Sequence, residues 1–126
     1  MKKAIFPTGV PKPVGPYSPG VVASGSLLFV AGQGPLDPAV GKITATTFAE
    51  QAEQTFKNVK AIVEGAGAQM SDVVRVGVYL SDMKYFAEMN EIYRRYFPEP
   101  YPARTTVQAG LPNFLIEVDA VVVLPD

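Results

Sequence analysis

The sequence predicts an α+β fold: a mixed β-sheet with two helices packed on one of its faces. Three observations carry this. Two segments repeat their apolar residues at helical spacing between clear start and stop signals. Shorter segments alternate with period two. Their order along the chain is strand, strand, helix, strand, helix, strand, strand. Two helices are too few to cover both faces of such a sheet, so they share one. The chain has 126 residues. That is read as a single domain over 1–126, since compact domains cluster at roughly 100–150 residues.

Proline is dense at both ends of the first third, at Pro7, Pro11, Pro13, Pro16 and Pro19 and again at Pro35 and Pro38. A ring that fixes φ and removes an N–H keeps these stretches out of helix interiors and central strands, so they read as ordered loops. Between them, Val21–Ala23 and Leu27–Ala31 flank Ser24-Gly25-Ser26, which predicts a hairpin. The first helix opens on a capping box, Thr47 with Glu50 three residues on. Phe48, Ala52, Phe56, Val59, Ile62 and Val63 then make one apolar stripe, with Glu50, Glu53, Lys57 and Lys60 facing away and Gly65 and Gly67 as a stop. In Val73–Leu80, Val74, Val76, Val78 and Leu80 form one face, with Arg75 and Tyr79 opposite. Ser81-Asp82 caps a second helix with the stripe Met83, Phe86, Met89, Asn90, Tyr93 and Phe97, ended by Pro98 and Pro100. Two strands follow, near Ala103–Ala109 and Leu115–Leu124.

The last strand is apolar on both sides. Ile116, Val118, Ala120 and Val122 fit the helix-covered face, while Leu115, Val121 and Val123 stand on the other with Glu117 and Asp119. Such an uncovered face is a liability in a monomer, so it is read as the interface of an oligomer. The charged fraction, 18%, agrees, being below the roughly 25% of ordinary domains.

The missing residues are informative. There is no cysteine and no histidine. That excludes disulfides, thiolate nucleophiles, zinc–thiolate sites, the Ser-His-Asp triad and imidazole bases. Carboxylates alone hold magnesium or calcium in some proteins, but no EF-hand-like run is present, and no metal site is expected. The net charge of −1 has no basic run to read nucleic acid. Gly32-Gln33-Gly34 and Gly41-Lys42 begin phosphate-loop patterns that the next residues do not complete, so they read as turns. The opening MKKAIF is followed by Pro7 and Gly9 instead of an apolar leader core, and no apolar run is long enough to span a membrane, so a cytoplasmic location is expected.

What remains for chemistry is an arginine, carboxylates and tyrosines. Arg104 opens a strand directly after a proline-rich loop, and its planar fork suits a carboxylate. The competing reading is a structural ion pair with Glu117 or Asp119. Alternation puts Arg104, Thr106 and Gln108 on one face, and pairing of the two C-terminal strands would bring Glu117 to that same face. There an arginine and a carboxylate would bind an acid and position a water. Tyr17 sits in a loop stiffened by prolines, either packing there or folding over a pocket.

Seven segments, taken in order, closely resemble the RidA/YjgF family. They are Gly15-Pro16-Tyr17-Ser18, Ala31-Gly32-Gln33, Asn58–Ile62, Tyr79–Met83, Met89–Tyr93, Pro102–Thr106 and Ile116–Ala120. No single one is specific, but the ordered set spans nearly the whole chain. The resemblance implies a chorismate-mutase-like fold, a homotrimer with its sheets facing the centre, and a site in each cleft between subunits. It implies a cofactor-free hydrolase that converts reactive 2-imino or enamino acids, released by pyridoxal-phosphate enzymes, to 2-keto acids and ammonia. By matching position, Arg104 would clamp the substrate carboxylate and Glu117 would orient or activate water. Tyr17 would line the cleft from the neighbouring subunit, and Gly32, Asn90 and Thr106 would shape the pocket. Many members carry serine where this chain has Ala31 and cysteine where it has Thr106; neither change removes a group the reaction requires. A non-catalytic trimer that binds small carboxylates or a protein partner is the alternative those two departures motivate. Ribonuclease-like activity is a third, opposed by the low pI near 5.4 and the lack of histidine.

Overall fold

A computed structural model describes residues 1–126. The elements are β1 (Lys2–Ile5), β2 (Gly20–Ala23), β3 (Leu27–Gln33), β4 (Leu36–Asp37), β5 (Lys42–Ile43), α1 (Phe48–Gly65), β6 (Val73–Leu80), α2 (Phe86–Tyr96), β7 (Ala103–Gln108) and β8 (Ile116–Val123). The main sheet has the order β3-β8-β6-β7, with β6 and β7 parallel and the other pairs antiparallel. Both helices lie on one face, as the element count predicts.

The capping box that opens α1 is formed. The Thr47 hydroxyl accepts from Glu50 N at 3.2 Å, and the Glu50 carboxylate accepts from Thr47 N at 3.2 Å. Phe48, Ala52, Phe56, Val59 and Val63 are buried from the predicted stripe. Gln51 is buried too, because its amide donates to Ala45 O and accepts from Leu115 N, tying the helix to the start of β8. Thr47→Ala is expected to cost about 1 kcal/mol, read from denaturant melts. The bonds from Thr47 and Thr46 hold the Glu50 carboxyl below its ordinary value of 4.5. A depressed folded value means this contribution is complete above about pH 4.5 and fades as the pH falls through the lower, folded value. Glu50→Gln should therefore flatten that acid limb of the pH–stability curve.

The second helix starts later than its stripe suggests. Asp82 accepts from Lys84 N at 2.8 Å and caps a 3-10 turn over Met83–Tyr85, which leaves Met83 39% exposed outside the core. From there Met89, Asn90 and Tyr93 are buried along α2, with Phe97 just past its end. Tyr93 stacks on Phe97 at 4.2 Å between centroids, and Phe56 of α1 meets both rings edge-on. These T-shaped and stacked geometries suit the ring quadrupoles and lock the two helices together. In β8, Ile116, Val118, Ala120 and Val122 lie under the helices and are buried, as their alternation predicts. The other face of the sheet carries Phe29, 72% exposed, with Leu27 and Val121.

Two strand pairings differ from expectation. Val21–Ala23 and Leu27–Ala31 are strands but not partners. β2 pairs antiparallel with β1, and β3 pairs antiparallel with β8. Ser24-Gly25-Ser26, with Gly25 at φ +124°, turns the chain out of the small ribbon into the main sheet instead of back along itself. Pairing with β8 lets β3 bury Val30 beneath α1, a gain that an isolated hairpin lacks. The two C-terminal strands also do not pair, because β6 lies between β7 and β8. No helix is long and apolar enough to cross a membrane.

Candidate functional site

Arg104 stands opposite Val76 in the parallel pairing of β6 and β7, so it points to the helix-covered side of the sheet. There it sits among three aromatic rings. Its guanidinium carbon is 4.9 Å from the centroid of Tyr93, 5.4 Å from Tyr17 and 5.8 Å from Phe86. Rings at this distance favour a cation electrostatically but fill none of its N–H donors. Nε and Nη1 are buried and have no hydrogen-bond partner. Burial pulls the Arg104 pKa down, against the opposing pull of Tyr93 and Tyr17. An arginine starts so high that it stays charged all the same. No acid pairs with it. The ion pairs of the chain are Arg94–Glu91 and Arg95–Glu53, neither of which involves Arg104, so the competing ion pair with Glu117 or Asp119 does not form.

Other unpartnered polar atoms stand close by. Asn90 Oδ1 and Thr106 Oγ1 are buried without a partner. A Cβ on Gly15 would sit 3.2 Å from Arg104 Nη2 and 3.3 Å from Asn90 Nδ2, so the bare glycine lets the loop backbone approach both. Val14, Tyr17, Phe86, Arg104 and Thr106 line a cavity of about 180 Å³. This pocket has an apolar wall and a cation with open donors, the arrangement that takes up a small carboxylate. Tyr17 lies in this pocket beside its own chain's Arg104. Phe86 and Tyr93 read as core residues from their helical spacing; their second role as ring walls for Arg104 had no signal in the sequence beyond being aromatic.

Glu117 is elsewhere. It pairs with Tyr79 in the antiparallel ladder of β6 and β8, on the uncovered face. Arg104 and Glu117 of one chain therefore lie on opposite faces of the same sheet, not on the shared face that direct pairing of β7 and β8 would have made. The Glu117 carboxylate lies over Gly32 of β3, where a Cβ would come within 2.8 Å of Oε2. Gly32 is thus the floor of the Glu117 site. Gly32→Ala should push the carboxylate aside, a displacement a structure of the variant would show. Ala31 is exposed next to it. The neighbouring Asp119 is already committed: it accepts from Tyr79 OH at 2.9 Å and Gly77 N at 3.1 Å, and it raises the Tyr79 pKa. Glu117 forms no ion pair and stays half-buried, open to solvent. No group of three acidic side chains converges to hold a metal ion.

The model of the family described as Endoribonuclease L-PSP matches residues 8–124. The chain belongs to this family, also known as RidA/YjgF. A RutC family protein of Pyrococcus horikoshii is 48% identical over 123 residues, covering 96% of this chain and 97% of the relative. A 2-iminobutanoate/2-iminopropanoate deaminase of Dermatophagoides farinae is 35% identical over 125 residues, covering 98% and 97%. Among solved RidA/YjgF structures, RidA of an Antarctic Psychrobacter superposes with a TM-score of 0.75 at 37% identity, covering 97% of this chain and 99% of its own. E. coli TdcF with bound serine superposes at 0.73 with 37% identity, covering 98% and 99%. The two helices on a mixed sheet match the fold of these solved structures.

Proposed function

We propose that this chain hydrolyses reactive 2-imino and 2-enamino acids to 2-keto acids and ammonia, in a homotrimer whose sites lie between subunits. The observation that carries the reading is the Arg104 guanidinium, buried with two open donors and no acid of its own chain to fill them. Leaving charged donors buried and unpaired costs free energy, which a substrate carboxylate would recover. The relatives support the same chemistry: one is named as a deaminase of small imino acids, and another holds serine, itself a small 2-amino acid.

The reaction asks little beyond positioning. Arg104 holds the carboxylate and fixes the imine carbon. Glu117 takes a proton from water as its oxygen bonds to that carbon, and the imine nitrogen takes up a proton. The carbinolamine nitrogen then gains a further proton as its hydroxyl gives one up, the C–N bond breaks, ammonia leaves, and the carbonyl forms. Nothing is oxidised or reduced. Orientation contributes several kcal/mol and general acid–base help roughly 10²–10⁴-fold. Because Arg104 and Glu117 lie on opposite faces of one sheet, the Glu117 that meets a given Arg104 comes from a second copy. The exposed Phe29 and Leu27, with the half-buried Val121, are the apolar surface such a copy would cover.

The test generates 2-iminopropanoate or 2-iminobutanoate enzymatically and follows its loss with the protein added. Faster loss supports the reading; an unchanged rate overturns it. Light scattering should give a mass near three times the 13.5 kDa chain.

A further inference from the structure

We propose that Ser18, assisted by Lys2, is a positioning residue that sets Arg104 for its ligand, an inference that rests on the carboxylate-clamp reading above. The main-chain stretch that delivers Arg104 to the pocket has little to hold it. β7 is an edge strand with β6 on one side only, and residues 98–102 before it are loop. Yet three successive carbonyls of that approach are each held from the N-terminal segment. Pro100 O accepts from Lys2 Nζ at 2.7 Å, Tyr101 O from Ser18 Oγ at 2.5 Å, and Pro102 O from Ser18 N at 3.0 Å. Lys2 Nζ also donates to Ser71 O at 3.0 Å, in the turn that feeds β6, so one ammonium ties the entries of two adjacent strands.

Ser18 forms a parallel bridge with Ala103, a one-residue strand on the outer edge of β7. It is only 2% exposed, so its hydroxyl has no water to fall back on. Its position in the chain matters as much as its bonds. The residue before it is Tyr17, whose ring lies 5.4 Å from the guanidinium carbon, and the residue after its bridge partner is Arg104. The two hydrogen bonds of one residue, Ser18, thus fasten the strand that carries the cation to the loop that carries the ring above it. Loosening them would let the two walls of the pocket drift apart while leaving untouched the Glu117 that meets this Arg104 from a second copy. Ser18 and Lys2 should therefore govern affinity for the carboxylate and leave the hydrolytic step alone.

The experiment measures calorimetric binding of 2-oxobutanoate, together with KM and kcat on the enzymatically generated imine. It compares the wild-type protein with Arg104→Ala, Ser18→Ala, Lys2→Met and Lys2→Arg. Ser18→Ala should bind about five- to tenfold more weakly, the size of one lost hydrogen bond, with KM rising in step and kcat within twofold. Lys2→Met should show a smaller loss in the same direction, and Lys2→Arg, which keeps a donor, should recover it. The lysine pair keeps the proposal testable if Ser18→Ala fails to fold. Wild-type binding that Arg104→Ala abolishes, with Ser18→Ala and Lys2→Met binding as tightly as wild type, overturns the positioning role alone. So does a fall in kcat at constant KM. Absence of any Arg104-dependent binding in the wild type overturns the carboxylate clamp and the positioning role together.

Discussion

Arg104→Ala is expected to lower kcat/KM on 2-iminopropanoate about 100-fold or more while leaving the melting temperature unchanged or raised. The activity loss follows from two charge-assisted bonds to one carboxylate, each worth about 1.5 kcal/mol or more, against about 1.4 kcal/mol per tenfold in rate. The stability result separates a functional arginine from a structural one. A structural arginine that is removed leaves its partners unpaired. Here the guanidinium has no acid partner, and its Nε and Nη1 are buried without hydrogen bonds, so truncation costs the fold only the contacts with the three rings and relieves an unpaired buried charge. Arg104→Lys should recover only part of the activity. An ammonium is a point charge that cannot bridge both carboxylate oxygens, and it lacks the planar surface that Tyr17, Tyr93 and Phe86 surround. A parallel loss of stability and activity in Arg104→Ala would instead assign the residue to the fold.

Glu117→Ala and Arg104→Ala should each be nearly inactive alone and partly active when the chains are mixed, unfolded and refolded together. In a ring of three, a working site needs Arg104 from one chain and Glu117 from the next. Of the eight equally probable rings in an equal mixture, six contain both variants, and each of these carries one intact site. Recovery of about one quarter of the wild-type activity is the expected value. A site built within one chain would recover nothing. Either variant retaining near wild-type turnover alone would remove that residue from the mechanism.

The parts of this fold that local chemistry dictates were legible in the residues. Thr47 and Glu50 announce α1 because a capping box is a short-range device, and the even positions of β8 announce their buried face because alternation is a property of one strand. What could not be read was which strands are neighbours. Nothing near Val21–Ala23 tells that its partner is Lys2–Ile5 at the far end of the proline-rich loop, and nothing in Ser24-Gly25-Ser26 distinguishes a corner from a hairpin. The same gap affected the site. Alternation put Arg104 and Thr106 on one face correctly, but relating them to Glu117 required knowing that β6 intervenes. Phe86 and Tyr93 were visible as a helical stripe, whereas their place around Arg104 depends on how α2 crosses β7, a tertiary fact without a local code.

The placement of Arg104 and Glu117 on opposite sides of one sheet also bears on reaction order. Under the proposed function a lone chain can fold and take up a carboxylate, yet it cannot complete a turnover. Specific activity should then vary with protein concentration, constant where assembly is saturated and falling steeply on dilution below the dissociation constant of the ring. A ligand that spans the cleft would hold subunits together by mass action, so substrate itself would protect the dilute protein from losing activity.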